Sequence, residues 1–301
     1  METFISKIDY EVPRYKNHLK KLKNFYKIKK KTGINDTFKI KEGYSVIDLA
    51  LKVCNRNLKD LKKCDALIFV TQTPKYLLPS CSTILQGKLG LKQNILTFDI
   101  NMGCSGFVHG LSIATGLIKS KISNNVALIC ADTYSRYFTK NNKNKFIFSD
   151  AATLTFVKKR KRKGIGPFLF GSDGNNFDKI IIDNNKKNNL EFHMSGSDVF
   201  LFTLNTIPKL IKQYLKIIKN NDNDFYIFHQ ASKLILESLM NKLKIKNNKF
   251  IIDLKYGNTT SSSIPITLKR AIESKKIKKN HRIIICGFGV GLAWGVSSII
   301  L

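Results

Sequence analysis

The stretch Asp99-Ile-Asn-Met-Gly-Cys104 has a counterpart 154 residues further on, Asp253-Leu-Lys-Tyr-Gly-Asn258. Each follows, at the same spacing, a lysine-flanked apolar segment: Lys88-Leu-Gly-Leu-Lys92 and Lys242-Leu-Lys-Ile-Lys246. Upstream, Ile68-Phe-Val-Thr-Gln72 parallels Ile227-Phe-His-Gln230, and downstream Val126-Ala-Leu-Ile-Cys130 parallels Arg282-Ile-Ile-Ile-Cys286. Matched blocks in one order mark an internal duplication. Periodicity predicts strands at 66–70, 96–100 and 126–130, with another between Lys246 and Asp253, and helices at 45–58, 79–89 and 104–118. Strands alternating with helices predict an α/β fold with largely parallel pairing, organised as two halves, residues 1–155 and 156–301.

Composition narrows the class. The chain has 301 residues, 43% of them hydrophobic, which excludes a disordered tail protein. Lys+Arg number 52 against 21 Asp+Glu, a net charge of +31. Only seven of the basic residues are arginines, and Asn and Ile are abundant too. The charge is therefore a bias of the whole chain more than a phosphate-reading surface, although it favours an acidic partner. The run Lys158-Lys-Arg-Lys-Arg-Lys163 reads as the solvated loop of a hairpin joining 154–157 to 165–169, and 19–31 as a basic surface helix or loop. Cys54, Cys64, Cys81, Cys104, Cys130 and Cys286 form no CxxC pair and no zinc-type spacing, so neither a disulfide framework nor a metal is expected. The first residues lack a basic segment followed by an apolar one, and no stretch approaches 18 apolar residues. The expectation is a soluble cytoplasmic protein without membrane insertion.

Ligand clefts favour the junction of two halves, which directs attention to the matched turns. The first turn, Met102-Gly-Cys-Ser-Gly106, delivers Cys104 where a strand ends and a helix begins. Free N–H groups and the helix dipole there would favour a thiolate, the nucleophilic form. The other cysteines read as small buried hydrophobes. His229 follows a strand, Phe225-Tyr-Ile-Phe228, at the end where open α/β sheets bind ligands, and imidazole exchanges protons near neutral pH. Asn258 supplies a donor that stays neutral, suited to polarising a carbonyl or enolate oxygen.

At these residues the chain resembles the β-ketoacyl-acyl-carrier-protein synthase III enzymes of the thiolase superfamily. The resemblance rests on Asp99-Ile-Asn-Met-Gly-Cys-Ser-Gly-Phe107, Phe228-His-Gln-Ala231, Tyr256-Gly-Asn-Thr-Thr-Ser-Ser-Ser-Ile-Pro265 and Gly287-Phe-Gly-Val-Gly-Leu-Ala-Trp-Gly295. It is extended by Lys31-Thr-Gly-Ile34, Thr71-Gln-Thr-Pro74 with Pro79-Ser80, and Met194-Ser-Gly196 with Val199-Phe200. It implies a five-layered αβαβα thiolase-like fold, a homodimer and a Cys-His-Asn condensing site that needs no cofactor beyond its thioester substrates.

Carried over residue by residue, Cys104 takes an acyl group from acyl-coenzyme A or acyl carrier protein. His229 and Asn258 then stabilise the enolate formed as malonyl-acyl carrier protein loses carbon dioxide. The resemblance places an oxyanion hole at the backbone N–H groups of Cys104 and Val290, in a loop freed by Gly289 and Gly291. It assigns substrate contacts to Leu78, Ser232, Gly289 and Gly291, and carrier-protein docking to Lys233. Leu78 stands where family members reach into the partner's acyl pocket. Two segments depart from the family. Thr32-Gly-Ile-Asn-Asp-Thr-Phe38 lacks the Trp and arginines that grip coenzyme A, which brings forward acyl carrier protein as donor. Ser149-Asp-Ala-Ala152 replaces a Gly-Asp-Gly-Ala turn, which is expected to alter a tight turn near the site, with Asp150 kept.

Two other functions compete with condensation. An acyltransferase of the same fold would pass the acyl group from Cys104 to a hydroxyl, amine or thiol of a specialised metabolite or glycan precursor. Retention of both His229 and Asn258 favours condensation, because simple transfer has less need of a neutral enolate donor. A basic nucleic-acid-binding protein would bind random duplex with steep salt dependence, but leaves the three site residues without a purpose.

Overall fold

The computed structural model describes residues 2–19, 24–161, 164–184, 189–219 and 221–301. The chain begins with β1 (Glu2–Glu11), β2 (Tyr15–His18), α1 (Phe25–Thr32), β3 (Asp36–Lys39), α2 (Val46–Arg56) and α3 (Leu58–Leu61). The first repeat continues through β4 (Ala66–Val70), α4 (Cys81–Lys88), β5 (Leu96–Ile100), α5 (Gly106–Lys119), β6 (Asn125–Asp132) and β7 (Ala151–Arg160). The second contains β8 (Ile165–Ser172), β9 (Ile180–Asn184), β10 (Leu190–Met194), α6 (Gly196–Ile218), β11 (Phe225–Phe228), α7 (Lys233–Leu243), α8 (Ser263–Glu273), β12 (Arg282–Gly289) and β13 (Ala293–Ile300).

One sheet has the order β1-β7-β6-β4-β5 and the other β8-β13-β12-β11, with β2–β3 and β9–β10 as separate two-stranded ribbons. The duplication is visible in the registers. Val70 of β4 pairs in parallel with Cys130 of β6, and Phe228 of β11 pairs in parallel with Cys286 of β12. The upstream block of the repeat therefore aligns Val70, rather than Phe69, with Phe228. In both sheets the parallel pair is followed by an antiparallel neighbour, β7 or β13.

Five layers follow from which side chains each helix buries. Val46, Leu49, Ala50 and Val53 of α2 pack with Leu85 of α4 on one face of the first sheet, against Leu67, Phe69 and Ile129. Phe107, Leu111 and Ala114 of α5, with Ile264 and Leu268 of α8, lie between the sheets, touching Ile68 and Leu128 on one side and Ile227 and Ile285 on the other. Ile207, Ile211 and Tyr214 of α6 and Leu236 and Leu239 of α7 cover the far face of the second sheet. Strands buried on both faces require near-continuous apolar sequence, and all five residues of β4 are buried. The middle layer also requires close approach. A Cβ placed on Gly110 of α5 would lie 2.5 Å from Leu128 Cδ1 of β6, so only glycine lets this helix sit so low on the sheet.

Two expectations are corrected. The segments around the basic run do not form a hairpin: β7 pairs with β1 and β6, and β8 pairs with β13. The chain thus crosses from one sheet to the other between Arg160 and Ile165, and residues 162–163 of the run lie outside the described residues. Residues 20–23 of the basic 19–31 segment also lie outside them, and its helix is α1. The strand expected before Asp253 is reduced to a single bridge between Tyr226 and Phe250. There the Gln230 side chain occupies the ladder, donating to the Phe228 carbonyl (2.6 Å) and accepting from the Asp253 N–H (2.7 Å). Among the described residues no helix is long and apolar enough to cross a membrane, and no group of three or more His, Cys, Asp or Glu is arranged to hold a metal ion.

Candidate active site

Cys104 lies in the turn between β5 and α5, His229 directly after β11, and Asn258 in the loop leading to α8. All three side chains are buried and line one cavity of about 410 Å³. Gly289 and Phe288, from the end of β12, complete its floor, and Phe148, Met194, Val199 and Phe200 make its walls apolar. The groups therefore come from both repeats. A larger cavity of about 770 Å³ opens at the opposite ends of the strands, between Lys119 and Phe168, and none of the candidate site residues lines it.

Cys104 is not a standing thiolate. Burial pushes its thiol up to about 12, and the Asp132 charge adds to that shift. The backbone hydrogen bonds from Val290 and from Cys104 itself pull the other way but do not win. The helix begins only at Gly106, so desolvation outweighs the helix terminus at the sulfur. At rest Cys104 is a thiol faced by two N–H groups.

His229 is held on both sides of its ring and along its backbone. Its N–H donates to the Cys286 carbonyl (2.8 Å), and its Nδ1 lies 2.8 Å from Ser263 Oγ. Burial drives its pKa down to about 3, against a Thr260 backbone hydrogen bond that favours the charged form. The imidazole is consequently neutral at physiological pH. Phe288 meets the ring edge-on, with centroids 5.6 Å apart.

Asn258 is fixed by a bridge to Phe148. Its N–H donates to Ile147 (3.0 Å) and its carbonyl accepts from Ser149 (2.8 Å). The Thr260 N–H donates to Asn258 Oδ1 (2.9 Å), which settles which end of the amide is oxygen and leaves the NH₂ end as the donor. Ser149, one of the departures from the glycine turn, thus anchors Asn258, and its Oγ accepts from the Phe38 N–H (3.0 Å). Asp150 accepts from the Ile40 N–H (2.8 Å) and the Ser135 N–H (3.0 Å).

The remaining sequence candidates divide. Ser232 lines the cavity and caps α7, accepting from the Ile235 N–H (3.4 Å). Gly289 lines it, and Val290 presents its N–H to Cys104. Gly291 stands one residue further into the turn, against Ala293. Lys233 starts α7 and is paired with Glu237 (3.6 Å) outside the cavity wall. Leu78 is 86% exposed on the loop before α4. Sequence reasoning missed Ser263, Thr260 and Asp132. The signals were a hydroxyl-rich run after Asn258 and a lone acid ending the buried run that starts at Val126.

A duplicated five-layer fold with a cysteine, a histidine and an asparagine gathered at its strand ends defines a thiolase-like enzyme. Similarity to known proteins narrows this further. Residues 98–174 match the family described as 3-Oxoacyl-[acyl-carrier-protein (ACP)] synthase III, and residues 216–300 match its C-terminal part. The chain is 35% identical to the Beta-ketoacyl-[acyl-carrier-protein] synthase III of Fusobacterium nucleatum, covering 89% of this chain and 88% of that one. It is 33% identical to the protein of the same name in Clostridium tetani, covering 90% and 89%. Among solved structures, a 3-oxoacyl-(acyl-carrier-protein) synthase III superposes with a TM-score of 0.93 at 28% identity over 100% of both chains. The 3-oxoacyl-(acyl-carrier protein) synthase of Burkholderia xenovorans does so with 0.93 at 26%, covering 100% and 94%. The chain belongs to the 3-oxoacyl-[acyl-carrier-protein] synthase III family.

Proposed function

We propose that the protein extends an acyl primer by decarboxylative condensation with malonyl-acyl carrier protein, as an initiating step of acyl-chain synthesis. The observation that carries this reading is the convergence of Cys104, a neutral His229 and the donor end of Asn258 on one apolar cavity. Cys104 attacks the primer thioester, its proton passing through His229 to the departing carrier thiol. The acyl oxygen lies toward the N–H groups of Cys104 and Val290, which stabilise it as it becomes an oxyanion. The malonyl thioester then loses carbon dioxide. His229 and Asn258 donate to the enolate oxygen, and the new carbanion attacks the acyl carbon. The Cys104 sulfur leaves as a thiolate and takes a proton from solvent, the one proton the overall condensation consumes, and the product is a 3-oxoacyl thioester. Splitting the reaction through an acyl-enzyme replaces one hard step with two easier ones. Decarboxylation moves the charge of the malonyl carboxylate onto the thioester oxygen, where the neutral donors His229 and Asn258 meet it.

Three further assignments belong to this reading. An acidic carrier protein suits a chain of net charge +31 whose cavity mouth includes Lys31, with Lys233 beside it as a docking cation. A homodimer is supported by the open edge of β5, the last strand of its sheet, and by Leu77 and Leu78, which are 96% and 86% exposed. A reducing, cytoplasmic setting agrees with six free cysteines.

Intact-protein mass after incubation with acyl-coenzyme A and acyl-carrier-protein donors tests the reaction. The wild type should gain an acyl adduct that Cys104→Ala does not. A chase with malonyl-carrier protein should discharge it as carbon dioxide and 3-oxoacyl product. An adduct that resists the chase would overturn condensation in favour of acyl transfer to another acceptor.

A further inference from the structure

Asp132 ends β6 and is buried between the two repeats, yet it touches none of the three reacting groups. Its two oxygens are bound by different segments. Oδ1 accepts from the Gln72 N–H (2.8 Å) and from the hydroxyls of Thr71 and Thr73 (both 3.2 Å), all in the loop that follows β4. Oδ2 accepts from Thr260 Oγ1 (2.9 Å) and Ser261 Oγ (2.8 Å), in the turn just after Asn258. Five donors on two oxygens suit an acceptor-only carboxylate, and an amide in its place would turn an N–H₂ toward hydroxyls.

The turn that Oδ2 grips is unusual. Thr260 has φ +49°, in the left-handed region that a β-branched residue avoids. From that conformation the Thr260 N–H reaches Asn258 Oδ1 (2.9 Å), and the Thr260 backbone also bonds His229. One strained residue thereby orients the Asn258 amide, and its own side chain ends on Asp132, while His229 has holds of its own on Ser263 Oγ and the Cys286 carbonyl.

We propose that Asp132 is a positioning residue for the condensation step: it holds Thr260 in the left-handed turn that aims Asn258 at the enolate oxygen. The proposal rests on the condensing reading above. It separates the two partial reactions, because loading does not use Asn258: the N–H groups of Val290 and Cys104 belong to other segments, and His229 keeps its bonds to Ser263 Oγ and the Cys286 carbonyl. The Asp132 charge opposes ionisation of Cys104, so its removal does not impair loading by that route.

The test compares the wild type with Asp132→Asn and Thr260→Val in three measurements. These are the rate of acyl loading on Cys104 by intact mass, the single-turnover rate of discharge by malonyl-carrier protein, and the KM for that carrier. Both variants should load within a few-fold of wild type and discharge about 100-fold more slowly, the scale of a misplaced catalytic group, with little change in KM. The double variant should discharge no more slowly than Asp132→Asn alone, since the two act through one turn. Equal losses in loading and discharge, or an unchanged discharge rate in either folded variant, would overturn the proposal. If Asp132→Asn does not fold, Thr260→Val alone decides, because it keeps the branched shape of the side chain and removes only the hydroxyl that donates to Asp132. A wild type that loads acyl but never discharges it to malonyl-carrier protein would instead overturn the condensing reading and this proposal with it.

Discussion

Gly289 lies so near Cys104 that a Cβ built on it would fall 2.8 Å from Cys104 Cβ and 3.0 Å from the sulfur. The β12–β13 turn is therefore in contact with the nucleophile, which is how Val290 brings its N–H to the sulfur. Gly289→Ala must displace either the sulfur or that N–H. Acyl loading should slow by about 100-fold, as for a misplacement of an ångström. The rate of adduct formation by mass checks it, and near wild-type loading would refute the contact as functional.

Asn258 and His229 should fail in different ways. Asn258→Ala removes an enolate donor only, so loading should persist while discharge by malonyl-carrier protein falls about 10²–10³-fold, or ~3–4 kcal/mol. His229→Ala removes the base for the thiol as well, and both steps should slow. Measuring the two partial reactions on both variants distinguishes the roles. Slow loading in Asn258→Ala would contradict its assignment.

Acid should weaken the fold through His229. Its folded pKa of about 3 lies below the ordinary histidine value of 6.5, so the unfolded chain binds the proton first. The contribution is fully present above 6.5 and is lost as pH falls through the folded value. Asp132 and Asp150, raised by burial to about 6, act with the opposite sign: their contribution is present below the ordinary 3.8 and is lost as pH rises through 6. Comparing urea midpoints of wild type and His229→Gln from pH 7 to pH 4 isolates the histidine. The wild type should lose more stability on acidification, and parallel curves would show that His229 does not titrate in this way.

Leu77 and Leu78 should matter to assembly rather than to the fold. Both are exposed in the single chain. Leu77→Asp with Leu78→Asp should leave the thermal midpoint of the chain nearly unchanged while shifting sedimentation toward a monomer. A variant that sediments as the wild type does would place the interface elsewhere.

Much of this was legible in the sequence, for identifiable reasons. Parallel strands buried on both faces need unbroken apolar runs, so β4 and most of β6 were predicted, and the repeat was visible through them. Cys104 stood out because glycines flank it at a strand-to-helix turn. The missing strand before Asp253 could not be read, because a side chain, Gln230, makes the bonds a backbone would have made. The crossing from β7 to β8 looked like a hairpin because a basic run between two apolar segments says nothing of which sheet each joins. Asp132 and Ser263 were hidden for a related reason: their roles depend on partners 128 and 34 residues away.

The close seating of α5 on its sheet at Gly110 reaches further than packing. The nucleophile rides on the front of that helix, and its partners hang from the opposite sheet, so the span across which they must meet is gauged by the thickness of the middle layer. A methyl group on the underside of α5 must either push the Leu128 side chain aside or lift the helix, and any lift would carry the Cys104 turn away from the opposite sheet. Reaction rate in this enzyme is in that sense a measure of how finely its interior is machined, and the residues that govern it include some far from any substrate.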